Sequence, residues 1–139
     1  MDKKEADYSQ QLKDNFHRDL FPGTLGIKLE EVRSGYARVS MEVVPDMHNF
    51  NSVTHGGALF TLADTAFGLA SNTRGTALAL HISINYVKAT ESGDFLTAVA
   101  EEEHLTRSTG IYLMTVFRGD EKVALLRGTV FRKGGSPGG

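Results

Sequence analysis

The chain reads as an α+β domain: a strand pair, one buried helix, then four long strands in antiparallel order. Three observations carry this. Residues 36–44 alternate, with Ala37, Val39, Met41 and Val43 on one face and Arg38, Ser40 and Glu42 on the other, the period-2 pattern of a half-buried strand. Over residues 56–71 the period changes: Leu59, Leu62, Ala66 and Leu69, joined by Ala63 and Ala70, recur at helical spacing. Residues 77–132 then return to strand-like runs separated by turn residues.

The elements follow in order. Residues 1–25 form a polar N-terminal segment, expected to be loosely held to about Asn15, with a short helix over 16–20 ahead of the Pro22-Gly23 break. Past Gly26, Ile27, Leu29 and Val32 mark a first strand, and Ser34-Gly35 reads as a hairpin turn into the second. Pro45 ends that strand, and a polar loop runs to Thr54. The helix is apolar around most of its circumference, so it should be buried; it should stop within Asn72-Thr73-Arg74-Gly75. Four strands are expected over 77–87, 95–105, 110–118 and 123–132, with turns at 92–94, 107–110 and 119–120. His81, Ser83 and Asn85 alternate with Ile82, Ile84 and Tyr86 as the polar face of a strand, and Glu101-Glu102-Glu103 reads as a solvated strand segment or bulge. Ile111 and Leu113 on one side of a strand, against Tyr112, Met114 and Val116 on the other, put bulk on both faces of the sheet. The second face then needs cover, which points to self-association. Residues 26–133 form the domain, and 134–139 (GGSPGG) a flexible tail.

Composition narrows the function classes. The 139 residues fit one domain, and 40% apolar with 23% charged residues can build a real core. A net charge of -2 offers no basic excess for nucleic acid or an anionic membrane. The absence of cysteine excludes disulfides and thiolate metal sites and fits a reducing compartment. Histidines 17, 48, 55, 81 and 104 are scattered without an HExxH, so no metal is expected, and no P-loop or GxGxxG occurs. Neither a run of ~18 apolar residues nor an apolar leader at the start is present, so a cytoplasmic protein is expected.

One side chain stands out. Between His55 and Arg74, Asp64 alone carries a full charge. A carboxylate among Leu, Ala and Phe is costly to desolvate unless hydrogen-bonded or partly wet; it is either a reacting group or a buried acid held by backbone N–H groups. Gly56-Gly57, at the helix start after His55, would let a carbonyl approach the free N–H groups and positive dipole end closely, or would simply permit a tight turn. Asn49 could equally be an Asx-turn residue, and His55 a loop brace.

Asn49, His55, Gly56, Gly57, Leu62, Ala63 and Asp64, in that order, resemble the hotdog-fold acyl-CoA thioesterases. Phe60, Thr65-Ala66-Phe67, STGIY at 108–112 and KVALLRGTVFR at 122–132 are most similar to the PaaI type, the phenylacetate-degradation branch. The likeness covers roughly residues 26–133. It implies a long antiparallel sheet wrapped around one central helix, subunits pairing as homodimers and further into tetramers, and hydrolysis of a small acyl-CoA such as phenylacetyl- or hydroxyphenylacetyl-CoA. It implies a backbone oxyanion donor at Gly56, Asp64 as general base or nucleophile, Asn49 near the attacking water or thioester, and His55 bracing the loop and carbonyl. Substrate contacts fall to Gly57, Thr65, Phe67 (read also as core or interface), Lys88, Arg107 and Ser108, with Arg132 and Lys133 as further cations for the coenzyme A phosphates. No cofactor is implied beyond the coenzyme A of the substrate, and no nucleic-acid or membrane partner. One departure is Gly68: some relatives carry a hydroxyl residue there, one turn after the acid, to orient the water.

Gly56 and Asp64 are eight residues apart, about 12 Å along a helix axis. One helix cannot easily bring both to one carbonyl, and the family builds its site across the subunit interface. Two other functions compete. A hydratase or dehydratase of the same fold would want a D-x-N-P-x-H type context, and Asn49 lacks the following proline. A non-catalytic acyl-CoA sensor or scaffold would want an attached DNA-binding segment, which the short acidic N-terminus does not offer.

Overall fold

A computed structural model describes residues 6–138; the expectations for residues 1–5 and 139 lie outside the described residues. The chain forms α1 (Ser9–Asn15), α2 (Leu20–Thr24), β1 (Lys28–Arg33), β2 (Tyr36–Glu42), α3 (Gly56–Asn72), β3 (Ala77–Tyr86), β4 (Phe95–Leu105), β5 (Thr109–Arg118) and β6 (Glu121–Arg132). The six strands make one antiparallel sheet in the order β1-β2-β4-β5-β6-β3, with α3 packed on it. This is the hotdog arrangement, and the expected strands and central helix are all present.

Binary patterning explains why the sheet and helix fit. Register places Val39 beside Ala98, Ala98 beside Val116 and Val116 beside Ala124, and all four are fully buried. This row crosses four strands under α3. Alanines on both sides, Ala63, Ala66 and Ala70 of α3 among them, let the helix sit close. The bulkiest buried side chain of α3 is Phe67, which meets Tyr112 edge-on with ring centroids 5.8 Å apart. Its ring lies where a Cβ on Gly128 of β6 would come within 2.6 Å, so that strand position has room for glycine alone.

The C-terminal end of α3 is tied to the β1–β2 turn. The Thr73 hydroxyl donates to the Ala70 carbonyl at 2.6 Å and accepts from the Gly35 N–H at 2.8 Å. Arg74 grips Glu102 through two bonds of 2.9 and 3.1 Å. Within the acidic run, the β4 register shifts between Glu102 and His104, and Glu103 pairs with Arg127.

Three terminal expectations are corrected. Residues 9–15 are a helix, because Leu12 and Phe16, spaced by one turn, pack on the core, and the Tyr8 N–H donates to the Thr73 carbonyl at 2.8 Å. Pro22-Gly23 does not break the chain but lies inside α2. Pro22 occupies the first turn of that helix, where no N–H is needed for an intrahelical bond. Residues 134–137 of the tail are hydrogen-bonded to the rest of the chain. Gly134 and Gly135, at φ of +82° and +84°, fold it back, the Thr76 N–H donates to the Gly135 carbonyl at 2.8 Å, and Pro137 is buried.

The two sheet edges differ. β1 is flanked by α1, whereas among the described residues β3 pairs with β6 alone and its other edge is open. Leu78, Leu80 and Tyr86 along β3, and Val87 just beyond it, stand about half exposed or more. Among the described residues, no helix is long and apolar enough to cross a membrane.

Candidate active site

The start of α3 is a nearly saturated hydrogen-bond network. His55 caps the helix: its Nδ1 accepts the Gly57 N–H at 3.1 Å, and its carbonyl accepts the Ala58 N–H at 2.9 Å. The neutral ring in this tautomer carries its proton on Nε2, so Nδ1 is not available as a base. Tyr86, arriving from β3, donates its hydroxyl to the Gly56 carbonyl at 3.0 Å. The Gly56 N–H is left with no acceptor among the described residues. It is an unused donor at the positive end of a 17-residue helix.

Asn49 stands beside it. Its Oδ1 accepts the Asn51 N–H at 2.8 Å and the Val53 N–H at 3.4 Å. The Asx-turn reading therefore describes one half of the side chain. Its Nδ2 has no partner among the described residues, and Asn49 lines a small cleft together with Gly56, Leu59, Tyr86 and Lys88. The loop is pinned by the buried Thr90–Thr54 hydroxyl pair at 2.6 Å, and Ser52 takes a left-handed φ of +61° at its tip.

Asp64, two turns further on, opens to a different cleft of about 790 Å³. It is half-buried and has no hydrogen-bond or ion-pair partner among the described residues. Burial pushes its pKa above the usual carboxylate range, and the negative charge of Asp19 adds to the shift. Thr61, Thr65 and Gly68 of the helix line the same cleft. The Thr65 and Thr61 hydroxyls donate back to the Thr61 and Gly57 carbonyls at 2.7 and 2.9 Å. Sequence reasoning passed over Thr61 and Asp19. Thr61 stands one turn before the acid on the same helix face, a signal available in the spacing; Asp19 had none, because it comes from the N-terminal segment.

The remaining candidates divide. Phe67 is 1% exposed, a core residue whose rim also reaches the Asp64 cleft. The Gly57 N–H is taken by the cap. Lys88 lines the Asn49 cleft but pairs with Glu121 at 2.8 Å; with Arg118 it holds that carboxyl down to about 2. Arg107 and Ser108 sit exposed in the β4–β5 turn, outside both clefts. The Ser108 carbonyl accepts the Arg132 N–H at 2.8 Å, and Arg107 has no partner among the described residues. One chain thus gathers Gly56, Asn49 and Lys88 at one place and Asp64, Thr65 and Phe67 at another.

A donor for a developing oxyanion and a bare carboxylate are the groups acyl transfer to water needs. Comparison with known families agrees: the model of the thioesterase superfamily matches residues 51–125. The chain belongs to the thioesterase superfamily. It is a thioester hydrolase, and its likeness to PaaI proteins is high. The acyl-coenzyme A thioesterase PaaI of Escherichia coli is 38% identical over 123 residues, 87% of this chain and 88% of that protein. The solved structure of the E. coli PaaI protein from the phenylacetic acid degradation operon superposes with a TM-score of 0.88 at 34% identity, covering 96% of this chain and 99% of that one. A variant of the phenylacetic acid degradation protein PaaI of Thermus thermophilus is 42% identical with a TM-score of 0.80, covering 81% and 97%. A hypothetical thioesterase protein of Streptococcus pneumoniae, solved with coenzyme A, is 32% identical with a TM-score of 0.81, covering 90% and 98%.

Proposed function

We propose that this thioester hydrolase acts on acyl-CoA, with a small aryl-acetyl group such as phenylacetyl or hydroxyphenylacetyl as the acyl part, in a site shared by two copies of the chain. One observation carries the reading: α3 holds an unpaired donor, the Gly56 N–H, and an unpaired acid, Asp64, about 12 Å apart and open to separate clefts. A neighbour related by two-fold symmetry brings one chain's acid to the other chain's donor. The open, partly apolar β3 edge is where a second copy would add its own strand, and an uncovered edge of this length otherwise invites uncontrolled pairing.

The chemistry follows from the groups. The thioester carbonyl oxygen takes the Gly56 N–H, and the positive helix end favours the charge that develops there. Asp64 either removes a proton from the attacking water or attacks the carbonyl itself, giving an acyl-enzyme anhydride that water then opens. The C–S bond breaks, the coenzyme A sulfur takes up a proton, and the carboxylic acid leaves. The unengaged Asn49 Nδ2 is a donor for water or thioester. Arg107, at a turn tip, is a candidate for the coenzyme A phosphates. The reaction asks for no cofactor beyond the coenzyme A of the substrate.

The test is thiol release from a panel: phenylacetyl-CoA and its hydroxylated forms, benzoyl-CoA, and aliphatic acyl-CoAs from acetyl to decanoyl. Release fastest with the aryl-acetyl members, and lost in folded Asp64→Ala, supports the reading. Tight binding without release would replace it with an acyl-CoA sensor, and appearance or loss of a conjugated double bond with a hydratase.

A further inference from the structure

Segments from near both ends of the described chain meet over the Asp64 cleft. From the N-terminal side come Leu12, Phe16 and Asp19, and from the tail Ser136 and Pro137. A reciprocal latch joins them: Gln11 Nε2 donates to the Ser136 hydroxyl at 2.9 Å and to the Pro137 carbonyl at 2.7 Å, and the Ser136 hydroxyl donates back to Gln11 Oε1 at 3.2 Å. The tail is independently anchored below the latch, where the Lys133 and Gly134 N–H groups both donate to the Thr76 carbonyl at 3.0 Å. Two segments more than a hundred residues apart are therefore held over one cavity by side-chain and backbone bonds.

Part of the cavity lining is small. Gly68 lies one turn beyond Asp64 on the same helix face, and a Cβ placed there meets nothing within 4 Å outside its own helix. Ala77 and Ala79 of β3 line the same cavity. Glycine in a helix interior is less favourable than alanine, so its presence costs helix stability and leaves open space. The same cavity is lined by the aromatic side chain of Phe16 and by the Asp64 carboxylate. One space thus combines small residues of α3 and β3, an aromatic residue from the N-terminal segment and the acid.

We propose that the slot between Gly68 and Phe16, closed by the Gln11–Ser136 latch, holds the distal end of the acyl group and sets the size and shape of acyl chain the enzyme accepts. The proposal rests on the acyl-CoA thioesterase reading above. The slot takes a flat ring or a short chain; a long linear chain runs into the latched termini. Gly68, Phe16 and Gln11 are specificity-determining residues that take no part in bond making.

The experiment compares kcat/KM for acetyl-, phenylacetyl- and decanoyl-CoA in the full-length wild type, Gly68→Leu, Phe16→Ala and Gln11→Ala. Leucine suits a helix interior, so Gly68→Leu is expected to fold and to unfold at a temperature no lower than wild type. It should lose ~10-fold or more on phenylacetyl-CoA while acetyl-CoA is little changed, the size of effect that a few methylene volumes produce in a pocket. Phe16→Ala and Gln11→Ala should raise the decanoyl to phenylacetyl ratio by a similar factor. A folded Gly68→Leu that loses all three substrates equally overturns the proposal, as do Phe16→Ala and Gln11→Ala variants whose ratios match wild type. A wild type that releases no thiol from any acyl-CoA removes the underlying reading instead, and the two failures are told apart by that single control.

Discussion

The start and the middle of α3 handle polarity in opposite ways. At the start almost every polar group is paired: the His55 ring with Gly57, the His55 carbonyl with Ala58, and the Gly56 carbonyl with the Tyr86 hydroxyl. The Gly56 N–H is left without an acceptor among the described residues, in a backbone fixed by the bonds around it. In the middle the acid has no partner at all among the described residues, and burial raises its affinity for a proton. A donor useful to a transition state must be fixed before the charge appears, whereas a base is useful because its own lone pairs are still unengaged. The helix supplies both kinds of group at a fixed spacing, and that spacing is too long for one carbonyl. The comparison therefore predicts two half-sites per chain.

The harshest test removes each half in turn. Asp64→Ala should lower kcat by ~10²–10⁴-fold, the range of a lost general base, read by thiol release. Gly56→Pro in a Tyr86→Ala background should lower it by ~10²–10³-fold against Tyr86→Ala alone, the range of a lost oxyanion donor. Proline deletes the N–H yet is welcome at the first position of a helix, and the Tyr86 change clears the 3.0 Å clash its Cβ would meet. Mixed and re-assembled, the two inactive variants should regain about a quarter of wild-type activity, since half the random pairs of a two-fold dimer carry one intact site. No recovery would place both halves in one chain and break the comparison.

Titration sharpens it. If Asp64 works as its anion, activity should fall as pH drops through its raised pKa, so the acid limb lies above the ordinary carboxylate range. Arg18 and Asp19 line the same cleft. Asp19→Asn removes the like charge and should move the limb to lower pH. Stability runs the other way. A folded pKa above the unfolded one gives a contribution that is complete at low pH and lost as pH rises through the folded value. Asp64→Asn should therefore melt no lower than wild type at neutral pH, a functional residue held against the interest of the fold.

Smaller effects bound the comparison. Gly128→Ala forces a methyl into the Phe67 ring and should cost ~1–3 kcal/mol in a denaturant titration while leaving KM unchanged in the folded fraction. Arg107→Ala should raise KM a few-fold for coenzyme A esters with kcat unaltered, the pattern of lost uniform binding. An effect on kcat instead would move that turn into the reacting centre.

Much of the molecule was legible before any fold was known. The α3 bounds differ from the periodic reading by one residue, because an apolar face every 3.6 residues is a local signal. The four C-terminal strands were also close to their observed limits. The N-terminal helices were less visible: Leu12 and Phe16 are too few to make a pattern, and their helix is stable only against the core. The same limit hid Asp19 and the latched tail from the site.

The amino-acid order by itself fixed the strand pair, the buried helix, the glycines at its start and the solitary acid along it, since each depends on residues within a turn or two of one another. Tertiary structure alone decided that β3, next after the helix in the chain, lies at the far edge beside β6, that Tyr86 reaches back thirty residues to Gly56, and that Phe16 and Pro137 come together over Asp64. Those outcomes depend on which strands pair and how a cavity is roofed, and contacts between distant residues leave no period in a sequence.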